Sequence, residues 1–209
     1  AVGCELIDGA LGRVLAAVAA RGWDDDVHVV FTTDHGELGG DFGLLFKGPY
    51  HTDSLMRLPL IWRPAPNAAV TPAVVTAPVG LVDLAPTFCG IAGLSTPEWM
   101  QGSALPVDDP DATARGIDHQ LTAWDSELFG VGMYLRTITR DGWVCTAYLP
   151  GAVHDGTEGE LYSLTDDPLQ QVNRWDDPSV RALRDDLVSS LWDEQPPEHD
   201  PRLQLQAPV

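Results

Sequence analysis

Val27-His28-Val29-Val30-Phe31-Thr32-Thr33-Asp34-His35-Gly36-Glu37 is the stretch on which the fold turns. Its first half is a short β-branched apolar run, the composition of a buried strand, and the pattern is that of a parallel sheet. Its second half leaves the strand through two threonines into a carboxylate, an imidazole and a glycine. Asp34 is therefore expected at the carboxyl end of the strand, the edge at which open α/β sheets bind ligands. A carboxylate oxygen and a ring nitrogen on adjacent positions suit a divalent cation, although Ca²⁺ takes 6 to 8 ligands and the remainder must come from elsewhere. The same spacing fits a second arrangement, in which Asp34 caps the turn after the strand and His35 is an exposed loop residue.

Outward from this stretch, residues 5–20 place Leu6, Ile7, Ala10, Leu11, Val14, Leu15 and Val18 at three- and four-residue steps, and Arg21-Gly22 follows as a stop. That is an amphipathic helix. On the other side, Leu58-Pro59-Leu60-Ile61-Trp62 reads as a second strand, with Pro59 near its start or at a sheet edge. Helix, strand, glycine-bearing loop and strand form an α/β pattern. Residues 82–92 predict another helix, with Pro86 in its first turn and Gly93 after its end. Residues 95–118, rich in Pro, Asp and Gly, mark a boundary, which divides the chain into residues 1–115 and 116–209. Beyond it, strand-like runs fall at 121–124, 132–139, 143–149 and 160–164, with a hairpin turn at Asp141-Gly142. A last helix over residues 179–192 carries Val180, Leu183, Leu187 and Leu191 as its apolar stripe, before a polar tail from 196.

Composition narrows the possible partners. The 209 residues hold 31 Asp plus Glu against 12 Lys plus Arg, a net charge of −19, which repels nucleic acid. No apolar run reaches the roughly 20 residues of a membrane span. A start at Ala1 without Met suggests a mature, trimmed or partial chain. Cys4, Cys89 and Cys145 show no zinc-type spacing, and at least two of them read as small buried hydrophobes.

Lys47 is the single lysine, beside 11 arginines. In so lysine-poor a chain it is expected where arginine would not serve, as a compact ammonium against a sulfuryl or phosphoryl oxyanion. A solvated loop lysine is the alternative. His51, four residues on, can donate to the same anion or to a leaving group, or pack beside Tyr50. Arg57 reads as a structural brace towards Asp53 or Glu37.

Taken together, Val29 to Gly39, Gly43-Leu44, Lys47-Gly48-Pro49-Tyr50-His51 and Arg57-Leu58-Pro59-Leu60-Ile61 resemble the type I sulfatases of the alkaline phosphatase superfamily. So do Asp8 with Gly12-Arg13-Val14-Leu15, Val82-Asp83-Leu84-Ala85-Pro86-Thr87, the turn Gln101-Gly102-Ser103-Ala104-Leu105, and Glu160-Leu161-Tyr162-Ser163-Leu164-Thr165-Asp166-Asp167-Pro168 with Asn173. The resemblance implies an alkaline-phosphatase-like α/β core, present in part, followed by a smaller lobe of antiparallel sheet plus helix. It implies Asp34 and His35 as metal ligands, for Ca²⁺ or another divalent ion such as Mn²⁺, and Lys47 as a sulfate contact, with His51 a further substrate-site candidate. The implied substrate is a small-molecule or carbohydrate sulfate ester.

Departures from the family pattern are equally specific. Sulfatases carry a Cys or Ser in C/S-x-P-x-R, converted to formylglycine. None of Cys4, Cys89 or Cys145 has that context, and Ser95-Thr96-Pro97 is followed by Trp99 where Arg is required. Asp24-Asp25-Asp26 precede a strand, so they cannot replace the family's first pair of metal-binding aspartates. The expectation is a carboxyl-terminal portion of a metal-dependent sulfate ester hydrolase, inactive by itself. A phosphonate monoester or phosphodiester hydrolase, and a non-catalytic module binding metal or sulfated glycan, are the alternatives.

Overall fold

A computed structural model describes residues 2–68, 70, 74–106, 118–128 and 130–196. The expected boundary falls largely on residues 107–117, and the polar tail largely on residues 197–209; both stretches lie outside the described residues. Those that are described pack as two compact units. One takes in the described residues of Ala1–Lys47, Ser54–Ala77 and Pro106–Ala114, the other those of Gly48–Asp53, Pro78–Leu105 and Arg115–Val209.

The first unit opens with α1, Val2–Ala20. Gly22, at φ 69, follows its end, and the N–H groups of Arg21 and Gly22 close on Val18 and Ala19. The apolar stripe is present, but no residue of α1 is fully buried and Leu6 is 70% exposed. Strand β1, Val29–Phe31, is half-buried and pairs antiparallel with β2, Ile61–Arg63, in the register Val29↔Arg63, Val30↔Trp62, Phe31↔Ile61. This corrects the expectation of a buried parallel strand over 27–32. A β-branched run reports a fit to a pleated surface and says nothing of its partner's direction. Pro59 lies outside β2, two residues before its start, where its missing N–H costs the ladder nothing. Before β1, the acidic turn is tied down by Asn67, whose Nδ2 donates to Asp26 Oδ1 at 2.6 Å. A short helix, α2, spans Asp53–Met56.

In the second unit, α3 covers Leu84–Ile91 after a 3-10 turn at Leu81–Asp83. Asp83, 2% exposed, accepts from the N–H of Gly80 at 3.0 Å and of Ser103 at 2.8 Å. Thr87 adds a second tie, donating to the Asp83 carbonyl and accepting from Leu105 N–H. A Cβ on Gly102 would stand 2.1 Å from the Val82 carbonyl oxygen. These bonds explain physically why the 82–87 and 101–105 motifs go together.

Four strands follow in chain order as an antiparallel meander: β3 His119–Leu128, β4 Val131–Arg140, β5 Trp143–Tyr148 and β6 Gly159–Ser163. Asp141 and Gly142, at φ 52 and 76, make the two-residue turn that pairs Arg140 with Trp143. One face of the meander carries Ile138, Cys145, Ala147 and Leu161, which pack against Leu187 and Leu191 of α4, Arg181–Asp193. Burying each such leucine contributes about 2 kcal/mol. Of the three cysteines only Cys145 meets the expectation of burial in full. Pro178 opens the turn before α4, and Asp177 caps it by accepting Ser179 N–H. Asn173 accepts Leu161 N–H and Trp175 N–H and donates to the Gly159 carbonyl, fastening the 160–173 motif to the edge of β6.

Candidate functional site

Asp34 and His35 stand three and four residues beyond the carboxyl end of β1. The Asp34 carboxylate is exposed and His35 half-exposed. His35 Nδ1 lies 2.7 Å from the Gly36 carbonyl oxygen, which can only accept, so the ring proton sits on Nδ1. In the neutral ring Nε2 is then a bare lone pair, facing Asp34 Oδ2 at 3.5 Å. At that distance the two atoms form an ion pair when the ring is protonated and offer two lone pairs to a cation when it is neutral. The separation fits adjacent corners of one shell at Ca²⁺ distances, where ligands about 2.4 Å from the ion are about 3.4 Å apart. A histidine whose second nitrogen is fixed by a carbonyl is the usual state of a metal-ligating imidazole.

The Asp34 carboxyl is held below its ordinary value first by a backbone hydrogen bond of its own, then by the N–H of His35, the charge of that ring when protonated and the Thr33 hydroxyl, with desolvation, second in size, opposing them. The carboxylate is therefore ionised well below neutrality. Thr33 is an orienting residue that sequence reasoning missed: its hydroxyl lies 3.2 Å from both Asp34 Oδ1 and the His35 carbonyl, and donates to one at a time. A threonine directly before the pair, able to bond its neighbours' main chain, was the available signal.

Gly36 secures the turn. Its N–H donates to the Leu55 carbonyl at 2.8 Å, and a Cβ there would stand 1.9 Å from the Ser54 carbonyl oxygen. Only glycine permits that approach. The following loop folds back on itself through Leu38 N–H to Phe46 O at 3.0 Å and Gly40 N–H to Leu44 O at 2.9 Å. Leu38 is buried beneath it. This closure returns Lys47 beside the Gly36–Leu38 stretch. Lys47 is exposed and pairs with none of the described residues, leaving its ammonium available. Among the described residues, no group of three or more His, Cys, Asp or Glu side chains gathers in a metal-binding cluster. Asp34 and His35 are two candidate donors, one carboxylate and one imidazole.

His51 stands in the second unit and is 4% exposed. Its Nδ1 lies 2.7 Å from Thr137 Oγ1, which lies 2.8 Å from Thr146 Oγ1. Burial, and secondarily the Arg136 charge, push its pKa down to about 4, so the ring is neutral at pH 7.

The sulfatase family model matches residues 4–94. Over 200 residues the chain is 28% identical to the uncharacterized sulfatase YidJ of Escherichia coli K12, covering 94% of this chain and 37% of that protein. Two solved structures share the fold, each at 23% identity over 90% of this chain and 38% of theirs. They are BT4656 in complex with its substrate D-glucosamine-2-N,6-O-disulfate, with a TM-score of 0.74, and the phosphonate monoester hydrolase of Agrobacterium radiobacter, with a TM-score of 0.75. The chain therefore spans under two-fifths of the length of these relatives. Motifs, fold and relatives agree: residues 4–94 match the sulfatase family, and the chain is similar to a sulfatase along most of its length.

Proposed function

We propose that this chain contributes two metal ligands and the substrate-facing cation of a sulfatase that hydrolyses sulfate esters, its nucleophile lying outside these 209 residues. The observation that carries the reading is the facing pair of lone-pair atoms, His35 Nε2 and Asp34 Oδ2, 3.5 Å apart with the opposite ring nitrogen pinned to Gly36. Asp34 and His35 hold a divalent cation, Ca²⁺ by the hard carboxylate and by family. When bound, such an ion supplies positive charge that polarises sulfate oxygens. Gly36 and Thr33 orient the two ligands, and the Nδ1 proton stays on the carbonyl side. Lys47 sets an ammonium towards the sulfuryl oxygens or the departing oxygen, where charge develops in the transition state. A guanidinium is broader and retains its proton, so Arg is no substitute there.

The C/S-x-P-x-R motif that formylglycine requires is absent from the sequence, so these residues alone bind and polarise a sulfate without attacking it. The substrate class is a sulfated carbohydrate, a reading supported by the sulfated glucosamine bound to one structural relative. The likeness to a phosphonate monoester hydrolase makes the related phosphorus ester the competitor to measure.

Calcium titration of the chain and of its Asp34→Asn and His35→Ala variants tests the metal pair, with turnover of aryl sulfate, glucosamine sulfate and a phosphonate monoester by the full-length enzyme alongside. Weak calcium binding lost in both variants, and sulfate turnover above phosphonate turnover, are the expected results. Calcium affinity indifferent to both substitutions would remove the metal assignment. Faster phosphonate turnover would move the protein to the competing class.

A further inference from the structure

Five of the eight residues from Gly39 to Phe46 have left-handed backbone: Gly39, Gly40, Phe42, Gly43 and Phe46. Three are glycines, which take that conformation freely. Phe46, at φ 65, is not, and bulky side chains rarely adopt it. Its ring is 75% exposed, so packing against the described residues does not hold the backbone there. What holds it is the closing bond: its carbonyl accepts Leu38 N–H at 3.0 Å, and Leu38 is anchored by burial. The next residue is Lys47. A left-handed residue directly before it reverses the chain as the loop closes, and so decides the direction in which Lys47 leaves the loop. Strain of this kind, kept at an exposed position with no packing to reward it, marks a constraint on geometry.

We infer that Phe46 is a positioning residue for Lys47, acting through its left-handed backbone and not through its ring. The inference rests on the proposed role of Lys47 in sulfate turnover. It assigns to Phe46 no contact with substrate.

The test is a substitution series at position 46 in the full-length enzyme, read as kcat and KM for an aryl sulfate, with calcium titration and melting curves for each variant. Phe46→Gly and Phe46→Asn keep the left-handed backbone accessible, whereas Phe46→Val disfavours it and Phe46→Pro forbids it. The expected result is kcat within about twofold of the parent for Gly and Asn, and a fall of about tenfold or more for Val and Pro, since small misplacements of a catalytic group are costly. KM and calcium affinity should change little across the series. Rescue by Gly and Asn separates this from general loss of structure, because both remove the ring entirely. Rates that follow apolar size, with Val above Gly and Asn and KM rising in the latter two, would overturn the inference by showing that the ring meets the substrate. Equal rates in all four variants would overturn it too. A fully active Lys47→Ala enzyme would instead remove the Lys47 reading, a separate outcome measured in the same assay.

Discussion

The Nδ1 atom of His51 lies 2.7 Å from the Thr137 hydroxyl, 86 positions further along the chain, on a meander strand whose neighbouring Thr146 extends the bond into the sheet. A neutral imidazole is built into this contact. The native ring titrates near 4, against an ordinary value of 6.5 that the unfolded chain retains. Between those values the unfolded state binds the extra proton, so stability is full above pH 6.5 and falls as pH drops towards 4. The lowering corresponds to roughly 3 kcal/mol. His51→Asn, which keeps a short polar arm but cannot titrate, should flatten that part of the profile. Urea unfolding of both proteins from pH 4 to 7.5 measures the difference; parallel profiles would refute the assignment.

Gly36→Ala should destabilise the first unit by about 1–3 kcal/mol, because its methyl must displace the Ser54–Leu55 main chain. The Gly36 carbonyl that fixes the His35 ring would move with it, so calcium affinity should fall as well. Calorimetry and a melting curve on the same sample decide whether the two losses occur together.

Asp83 gathers the N–H groups of Gly80 and Ser103 around one buried carboxylate. Asp83→Asn replaces one acceptor oxygen by an amide and leaves a buried donor unmatched, at about 2 kcal/mol. The expected reading is a lower denaturation midpoint with an unchanged slope.

Lys47→Ala should leave the melting temperature nearly unchanged, since an exposed loop lysine contributes little to stability. If its charge meets the transition state, turnover of sulfate esters by the full-length enzyme falls by roughly 10²–10³-fold. Parallel assays and melting curves separate the two effects.

Much of this was legible in the chain because the motif residues act locally. Asp141-Gly142 sets a register by its own conformation, Asn173 bonds residues two to fourteen positions away, and the stripe of α4 announces the face it buries. The position of Asp34 and His35 just after β1 was legible for the same reason, since adjacent residues after a strand must emerge together. What escaped reading depends on distant or untypical partners. Thr137 looks like any strand threonine until the chain brings His51 to it. The pairing direction of β1 is decided by β2, thirty residues later. Phe42 and Phe46 occupy left-handed positions that sequence rules reserve for Gly and Asn. The stripe of α1 was readable as a helix, yet its exposure was not.

Strands β3 to β6 pair only with their neighbours in the chain, so each closure spans a short loop. Low contact order of this kind favours fast folding. The turn at Asp141-Gly142 can zip β4 to β5 and grow outward to β3 and β6, with α4 docking on the apolar face. Segment 48–53 must by contrast span 86 positions to bring His51 to Thr137, a costlier loop to close. The expected order of assembly in the second unit is therefore meander first and His51 last. Pulse-labelled amide exchange during refolding should find Ile138 and Cys145 protected before the main chain around His51.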